Sequence, residues 1–226
     1  MIFNHVPLDR EVPKLQQVNE NGTRYYVTPE GNKYPSITTV LSAYNIGHIM
    51  EWRKRVGEEQ ANKISRQASG RGTRIHTLCE QYIDNVTPEV KSPFDLELFN
   101  KFKPTLHRIN NVYAQELRMY SDHLRIAGTV DCIAEFDGVL SAIDFKTAKR
   151  LKNEEDIENY FMQCSAYAIM FEEQFGIPVA QIVVAIAVDD EEPQVFVKRR
   201  NSYVKQLMYF RDLYERKSGL VVASTV

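Results

Sequence analysis

Residues 128–147, GTVDCIAEFDGVLSAIDFKT, hold two aspartates and a lysine in a pattern that can bind a divalent cation. Asp137-Gly138 lies between two apolar runs, the signature of a two-residue hairpin turn. With those two residues as the loop, Phe136 pairs with Val139. Counting back five along one strand and forward five along the other sets Asp131 opposite Asp144. Directly opposed residues share a sheet face, and Lys146, two residues past Asp144, shares it too. The opposite face then reads Val130, Cys132, Ala134, Phe136, Val139, Ile143 and Phe145, with Ser141 the exception, and is expected to be core. Facing carboxylates repel, the more so when partly buried. A Mg²⁺ or Mn²⁺ ion offsets that repulsion, since hard cations take oxygen ligands. Lys146 offers a second way to offset it, as one partner in a structural ion cluster.

Other residues fall where they can join this group. His76 borders the apolar stripe Ile75, Leu78, Cys79 and Tyr82 of an expected helix, with Thr73 and Glu80 at i−3 and i+4. Glu116 lies in the strand before the hairpin. Gln163 and Tyr167 stand one turn apart on the helix after it. Each also has a plain packing or surface reading. Three short basic clusters, Arg53-Lys54-Arg55, Lys146 to Lys152 and Lys198-Arg199-Arg200, read equally as solvated faces or phosphate contacts.

The elements that must position these residues follow from periodicity. Tyr25 to Val27, a turn at Pro29–Asn32, and Lys33-Tyr34 predict a small hairpin after an irregular start. Ser36 is placed to cap a helix. Helices are expected over about 48–66, 73–84 and 95–113, with Gly70-Arg71-Gly72 breaking the first from the second. Strands are expected over 115–120, 128–136 and 139–147, a helix over 159–175, strands over 182–188 and 194–198, and a helix over 202–217. That order predicts an α/β fold: a mixed β-sheet flanked by helices on both faces, with an N-terminal helical elaboration. No internal domain boundary is visible in residues 1–226; residues 1–70 read as hairpin and helices, and 71–217 as the core.

Composition narrows the class. The 226 residues are 43% hydrophobic, enough for a sizeable core, and the net charge of −2 excludes a generally basic nucleic-acid binder. No run approaches the roughly 18 apolar residues of a membrane span, and no repeat is visible. The start has neither a signal-peptide apolar region nor the Arg-rich character of a transit peptide, so a cytoplasmic protein with no membrane partner is expected. Cys79, Cys132 and Cys164 form no C-x-x-C pair and read as buried reduced thiols; no iron–sulfur cluster is expected.

Together, Gly72-Thr73-Arg74-Ile75-His76, Glu116, Gly128-Thr129-Val130-Asp131, Asp144-Phe145-Lys146 and Gln163-Cys164-Ser165-Ala166-Tyr167 resemble the PD-(D/E)XK nuclease superfamily, in particular its RecB-type exonuclease branch. The motifs occur in that branch's order. One departure is that no proline precedes Asp131. The resemblance implies a restriction-endonuclease-like core and metal-dependent cleavage of DNA, with single strands or free ends as the expected partner, in a bacterial or phage-infected cell. It implies that His76, Asp131, Asp144 and the Phe145 carbonyl hold one or two Mg²⁺ (or Mn²⁺) ions. Glu116 would complete the shell, Lys146 would orient the attacking water or neutralise charge, and Gln163 and Tyr167 would steady Lys146. Thr73, Thr147, Lys149, Arg150, Lys152 and Arg53 are expected DNA contacts, and Trp52, Tyr44 or Phe161 would stack on bases. A flap- or junction-type endonuclease of the same superfamily, an inert nucleic-acid-binding module and an unrelated metal phosphohydrolase are the alternatives.

Overall fold

The structure is a computed structural model and describes residues 1–218 except Asn45. An antiparallel meander comes first: β1 (Gln16–Glu20), β2 (Thr23–Val27) and β3 (Lys33–Pro35). Ser36 caps α1 (Ile37–Val40) by accepting from the Thr39 amide at 3.1 Å, as its position predicted. Helices α2 (Ile46–Val56), α3 (Glu58–Ile83) and α4 (Pro93–Leu106) follow. A five-stranded sheet is then built in chain order from β4 (Ile109–Ser121), β5 (Ile126–Phe136), β6 (Val139–Ala148), β7 (Gln181–Val188) and β8 (Gln194–Arg199). Only β6 and β7 run parallel. A parallel pair needs a crossover, and α5 (Glu158–Phe175) supplies it. The chain ends, as far as it is described, in α6 (Val204–Ser218).

The sheet separates two apolar layers. Cys132, Ala134, Phe136, Ile143, Phe145 and Val183 pack against Ile75, Leu78 and Cys79 of α3 and Phe99 and Phe102 of α4. Ile133, Ala142, Val184 and Ile186 pack against Phe161, Cys164, Ala168 and Phe171 of α5. The expected mixed sheet with helices on both faces is therefore what forms, and the three cysteines are free and buried. No described helix is long and apolar enough to cross a membrane.

Three expectations about elements need correction. Gly70 and Gly72 do not break a helix; both lie inside the 26-residue α3. The break falls at Gly57, whose φ of +84° ends α2. A helical glycine costs only about 1 kcal/mol, which the packing of α3 on β6 offsets. The helix expected to reach residue 113 stops at Leu106, because Ile109 and Val112 pair with Phe136 and Ala134 of β5. The start is not wholly irregular: β1 forms on β2 around Asn21 and Gly22, both at positive φ, as a hairpin turn requires.

Candidate active site

The hairpin turns at Asp137 and Gly138, with φ of +51° and +78°. The predicted register holds from Phe136↔Val139 to Cys132↔Ile143. There the ladder stops, so Asp131 and Asp144 are not a ladder pair. Between β4 and β5 the same rung is missing: Gln115 pairs with Cys132 and Leu117 with Val130, but Glu116 and Asp131 are skipped. Glu116 has φ of +46°, a conformation that non-glycine residues rarely take in a strand.

The alternation of faces inverts at this point. Cys132, Ala134 and Phe136 face α3 and α4, whereas Val130 packs with Ile133 in the α5 layer. Val130 thus leaves the face predicted for it, and Val139, also expected in the core, is exposed at the hairpin tip. Ser141, the polar exception, is buried and satisfied: its hydroxyl donates to the Val139 carbonyl and accepts from Gln181 Nε2.

The skipped rungs free Asp131 and Glu116 to turn toward α3. Asp131 Oδ2 accepts from the Phe145 amide at 2.7 Å, which replaces the missing ladder bond, and lies 3.6 Å from His76 Nδ1. One ligand atom each from His76, Glu116 and Asp131 falls within 4.8 Å of the others. A residue's N–H and C=O leave an extended strand on the same side, so the Phe145 carbonyl also faces this gap. Burial, followed by the Asp144 charge, raises the Asp131 carboxyl to about 6. Burial, then the charges of Asp131 and Glu80, raises Glu116 to about 7. Burial first and neighbouring carboxylates second thus disfavour full ionisation of the two acids.

Asp144 lies on the α5 side and is not part of the triad. Its carboxylate is 1% exposed. Oδ1 accepts from Gln163 Nε2 at 3.1 Å, and the same amide group donates to the Tyr167 hydroxyl at 3.0 Å. Oδ2 touches the Lys146 ammonium but has no aligned hydrogen-bond donor among the described residues. Burial alone would lower the Lys146 pKa; the charges of Asp144 and Asp131 outweigh it and raise it. Lys146 Nζ also sits 5.1 Å from the ring centroid of Tyr160, a residue the sequence reading did not single out. The available signal was its spacing, one turn before Gln163 on the same helix stripe. Gly128, of the G-x-x-D motif, has a mechanical role. A Cβ there would lie 2.7 Å from Tyr167 Cε1 and 3.2 Å from Ile37 Cγ2.

The expected DNA contacts divide. Thr147 faces Gly72 of α3, whose would-be Cβ lies 3.8 Å from its hydroxyl. Lys149 and Arg150 are exposed just beyond β6 and form no ion pair among the described residues. Lys152 is half-buried, with its backbone bound at both ends by the Gln194 side chain. Thr73 is exposed, its hydroxyl donating to the Ser69 carbonyl. Arg53 is occupied by Glu58 and Asn62. Asn62 precedes His76 by fourteen residues of continuous helix, roughly 21 Å, so neither Arg53 nor its neighbour Trp52 is brought to the triad. Phe161 cannot stack on a base, being fully buried against Phe196 and Tyr203. Tyr44 packs on Phe210 and hydrogen-bonds Glu158.

A mixed five-stranded sheet between helical layers, with acids and a lysine at an interruption in its central strands, is a restriction-endonuclease-like fold. The chain belongs to the PD-(D/E)XK nuclease superfamily, whose family model matches residues 58–217. It is 25% identical over 132 residues to mitochondrial genome maintenance exonuclease 1 of the mouse, Mus musculus, in a match covering 54% of this chain and 39% of that protein. The chain therefore matches well under half the length of that relative. It also superposes on a "putative exonuclease" of Eubacterium rectale with a TM-score of 0.49 and 11% identity, over 66% of this chain and 65% of that one.

Nucleases of this superfamily use divalent metals, and the residues present fit one. His76, Glu116 and Asp131 offer two carboxylates and an imidazole within reach of one ion, and the buried Asp144 carboxylate lies beside Lys146 on the neighbouring strand. Oxygen-rich sets suit Mg²⁺, and an imidazole among them also admits Mn²⁺.

Proposed function

We propose that the protein is a Mg²⁺- or Mn²⁺-dependent DNA exonuclease that hydrolyses phosphodiester bonds and prefers single strands with free ends. The observation that carries this reading is the convergence of His76, Glu116 and Asp131 beside the buried Asp144–Lys146 pair. The exonuclease relative, matched over part of its length, supports the choice of exonuclease within the superfamily.

In this reading His76, Asp131 and Glu116 hold the cation, with Asp144 Oδ2 and the Phe145 carbonyl as further oxygen donors. When bound, the ion lowers the pKa of a water and polarises the phosphate oxygens. Lys146 stays charged beside Asp144 and stabilises the negative charge that develops on the phosphate. Gln163 holds Asp144 and Tyr167 together, so the carboxylate cannot rotate away from the gap. Thr147, Lys149 and Arg150 lie on the path leaving β6 and bind flanking phosphates, which makes affinity salt-dependent.

The test is digestion of end-labelled single- and double-stranded DNA and of a closed single-stranded circle, with Mg²⁺, Mn²⁺ or EDTA. Metal-dependent loss of linear single strands, with the circle intact, is the expected result. Cleavage of the circle would make the protein an endonuclease. Salt-sensitive DNA binding with no turnover in either metal would leave it an inert binding module.

A further inference from the structure

A second feature lies next to the proposed centre and has no part in it. Between α3, the start of α4 and the turn after β7 is a cleft of about 360 Å³. Its walls include Arg71, Arg74, Phe94, Asp95, Lys101 and Asp189. Phe94, in the first turn of α4, is 83% exposed. The cleft is tied to the catalytic strand. Arg71 pairs with Asp189, whose amide donates to the Ala148 carbonyl at 3.0 Å, and Gly72 abuts Thr147. Ala148 is four residues beyond Asp144 on β6, so the cleft begins roughly 13 Å from the proposed centre along that strand. Lys149 and Arg150 leave the strand at the same end.

The charge pattern decides what the cleft takes. Arg74 is held by Asp95 at 2.6 Å and Lys101 contacts Glu97 at 3.4 Å. With Arg71 on Asp189, every cation lining the cleft faces an acid, and Asp190 adds one more negative charge. Such a wall does not attract a phosphate. It offers donors and acceptors side by side near an exposed aromatic ring, which suits the edge and the face of an unpaired nucleobase. Arg71 Nε is buried with no acceptor among the described residues, and leaving such a donor unmet is costly.

We infer that this cleft is a subsite for one unpaired base of the substrate strand, with Phe94 as its stacking platform, while Lys149 and Arg150 hold the phosphates between it and the centre. The inference rests on the nuclease reading and deepens it. A base paired in a duplex cannot present its face to Phe94, so the subsite gives the protein a physical reason to favour single strands.

The experiment compares full-length wild type with Phe94→Ala and Phe94→Trp on three substrates with Mn²⁺. These are a labelled ten-nucleotide single strand, the same strand with 2-aminopurine placed a few nucleotides from the cleaved end, and thymidine 5′-p-nitrophenyl phosphate, which is too short to reach the cleft. The expected result for Phe94→Ala is a KM for the ten-mer raised about tenfold with kcat little changed. Brighter 2-aminopurine in the complex, unchanged hydrolysis of the short ester, and recovery in Phe94→Trp complete the pattern. Because Phe94 is exposed, the variants should melt with the wild type, and melting curves check this. An unchanged KM in Phe94→Ala would overturn the inference while leaving the nuclease reading intact. So would equal losses on the ten-mer and the short ester. Wild-type protein that hydrolyses none of the three would overturn the nuclease reading, and the inference with it.

Discussion

The two halves of the proposed centre differ in kind. On the α5 side, Asp144, Lys146, Gln163 and Tyr167 form a dry, closely bonded set in which both charges face each other. On the α3 side, His76, Glu116 and Asp131 are wetter, short of positive charge, and joined to the sheet by one hydrogen bond from Phe145. One half fixes geometry and the other leaves valence open. A site that must bind and release an ion and a phosphate needs both, and here Asp131 of one half and Asp144 of the other sit on adjacent strands of one hairpin.

That contrast can be broken at several points. The largest effect is expected for Asp144→Asn and Lys146→Ala, which unpair a charge in the dry half. Single-turnover hydrolysis should fall about 10³-fold. Melting should show substantial destabilisation as well, because breaking a buried pair costs about 3–5 kcal/mol. Loss of activity without any loss of stability would mean that the pair is not structurally locked. His76→Ala, in the open half, should behave oppositely. Calorimetry should show Mn²⁺ binding weakened by at least the roughly 10- to 100-fold typical of lost outer partners, at near wild-type stability.

Gln163→Ala and Tyr167→Phe probe the lock itself. The first removes the donor shared by Asp144 and Tyr167 and should lower kcat roughly 10- to 100-fold. The second keeps the ring and removes one hydroxyl, worth about 1 kcal/mol. Equal effects would show that the Tyr167 hydroxyl is as necessary to the lock as the bond to Asp144. Replacing both Lys149 and Arg150 by alanine should leave kcat unchanged and flatten the salt dependence of single-strand affinity by about 0.7 in slope for each charge.

The smallest effect is on stability against pH. Asp131 and Glu116 have folded-state pKa values raised to about 6 and about 7. The folded protein therefore holds their protons longer than the unfolded chain does, and stability from these groups falls as pH rises from about 4 through 7. In EDTA, the melting temperature of wild type relative to Asp131→Asn should decline across that window, and Mn²⁺ should reverse the decline. A difference independent of pH would show that the open half carries no charge strain.

Much of this was legible in the chain. Asp137-Gly138 fixed the hairpin, and the register followed down to Cys132 and Ile143 because alternating burial punishes any slip. Gln163 and Tyr167 could be paired from helical spacing alone. The interruption at Glu116 and Asp131 could not be read. It depends on a left-handed residue and on a carboxylate taking the place of a backbone acceptor, and neither leaves a mark in the pattern of apolar residues. The sequence reading therefore placed both aspartates on one face, whereas the chain turns one toward each helical layer. The uninterrupted α3 is hidden because Gly-x-Gly ordinarily marks a break, and only packing keeps the helix whole here. The hairpin turn at Asn21-Gly22 is masked in the sequence, because the strand before it, QQVNE, is almost wholly polar.

Gly128 acts as a depth gauge for the whole assembly. With no side chain, it lets the Tyr167 ring seat against the sheet, and that seating sets how far α5 stands from Asp144. A single methyl there would act as a shim, lifting the helix and loosening the lock without altering any charge. Gly128→Ala should therefore yield a protein with every reactive group intact and the wrong spacing between them.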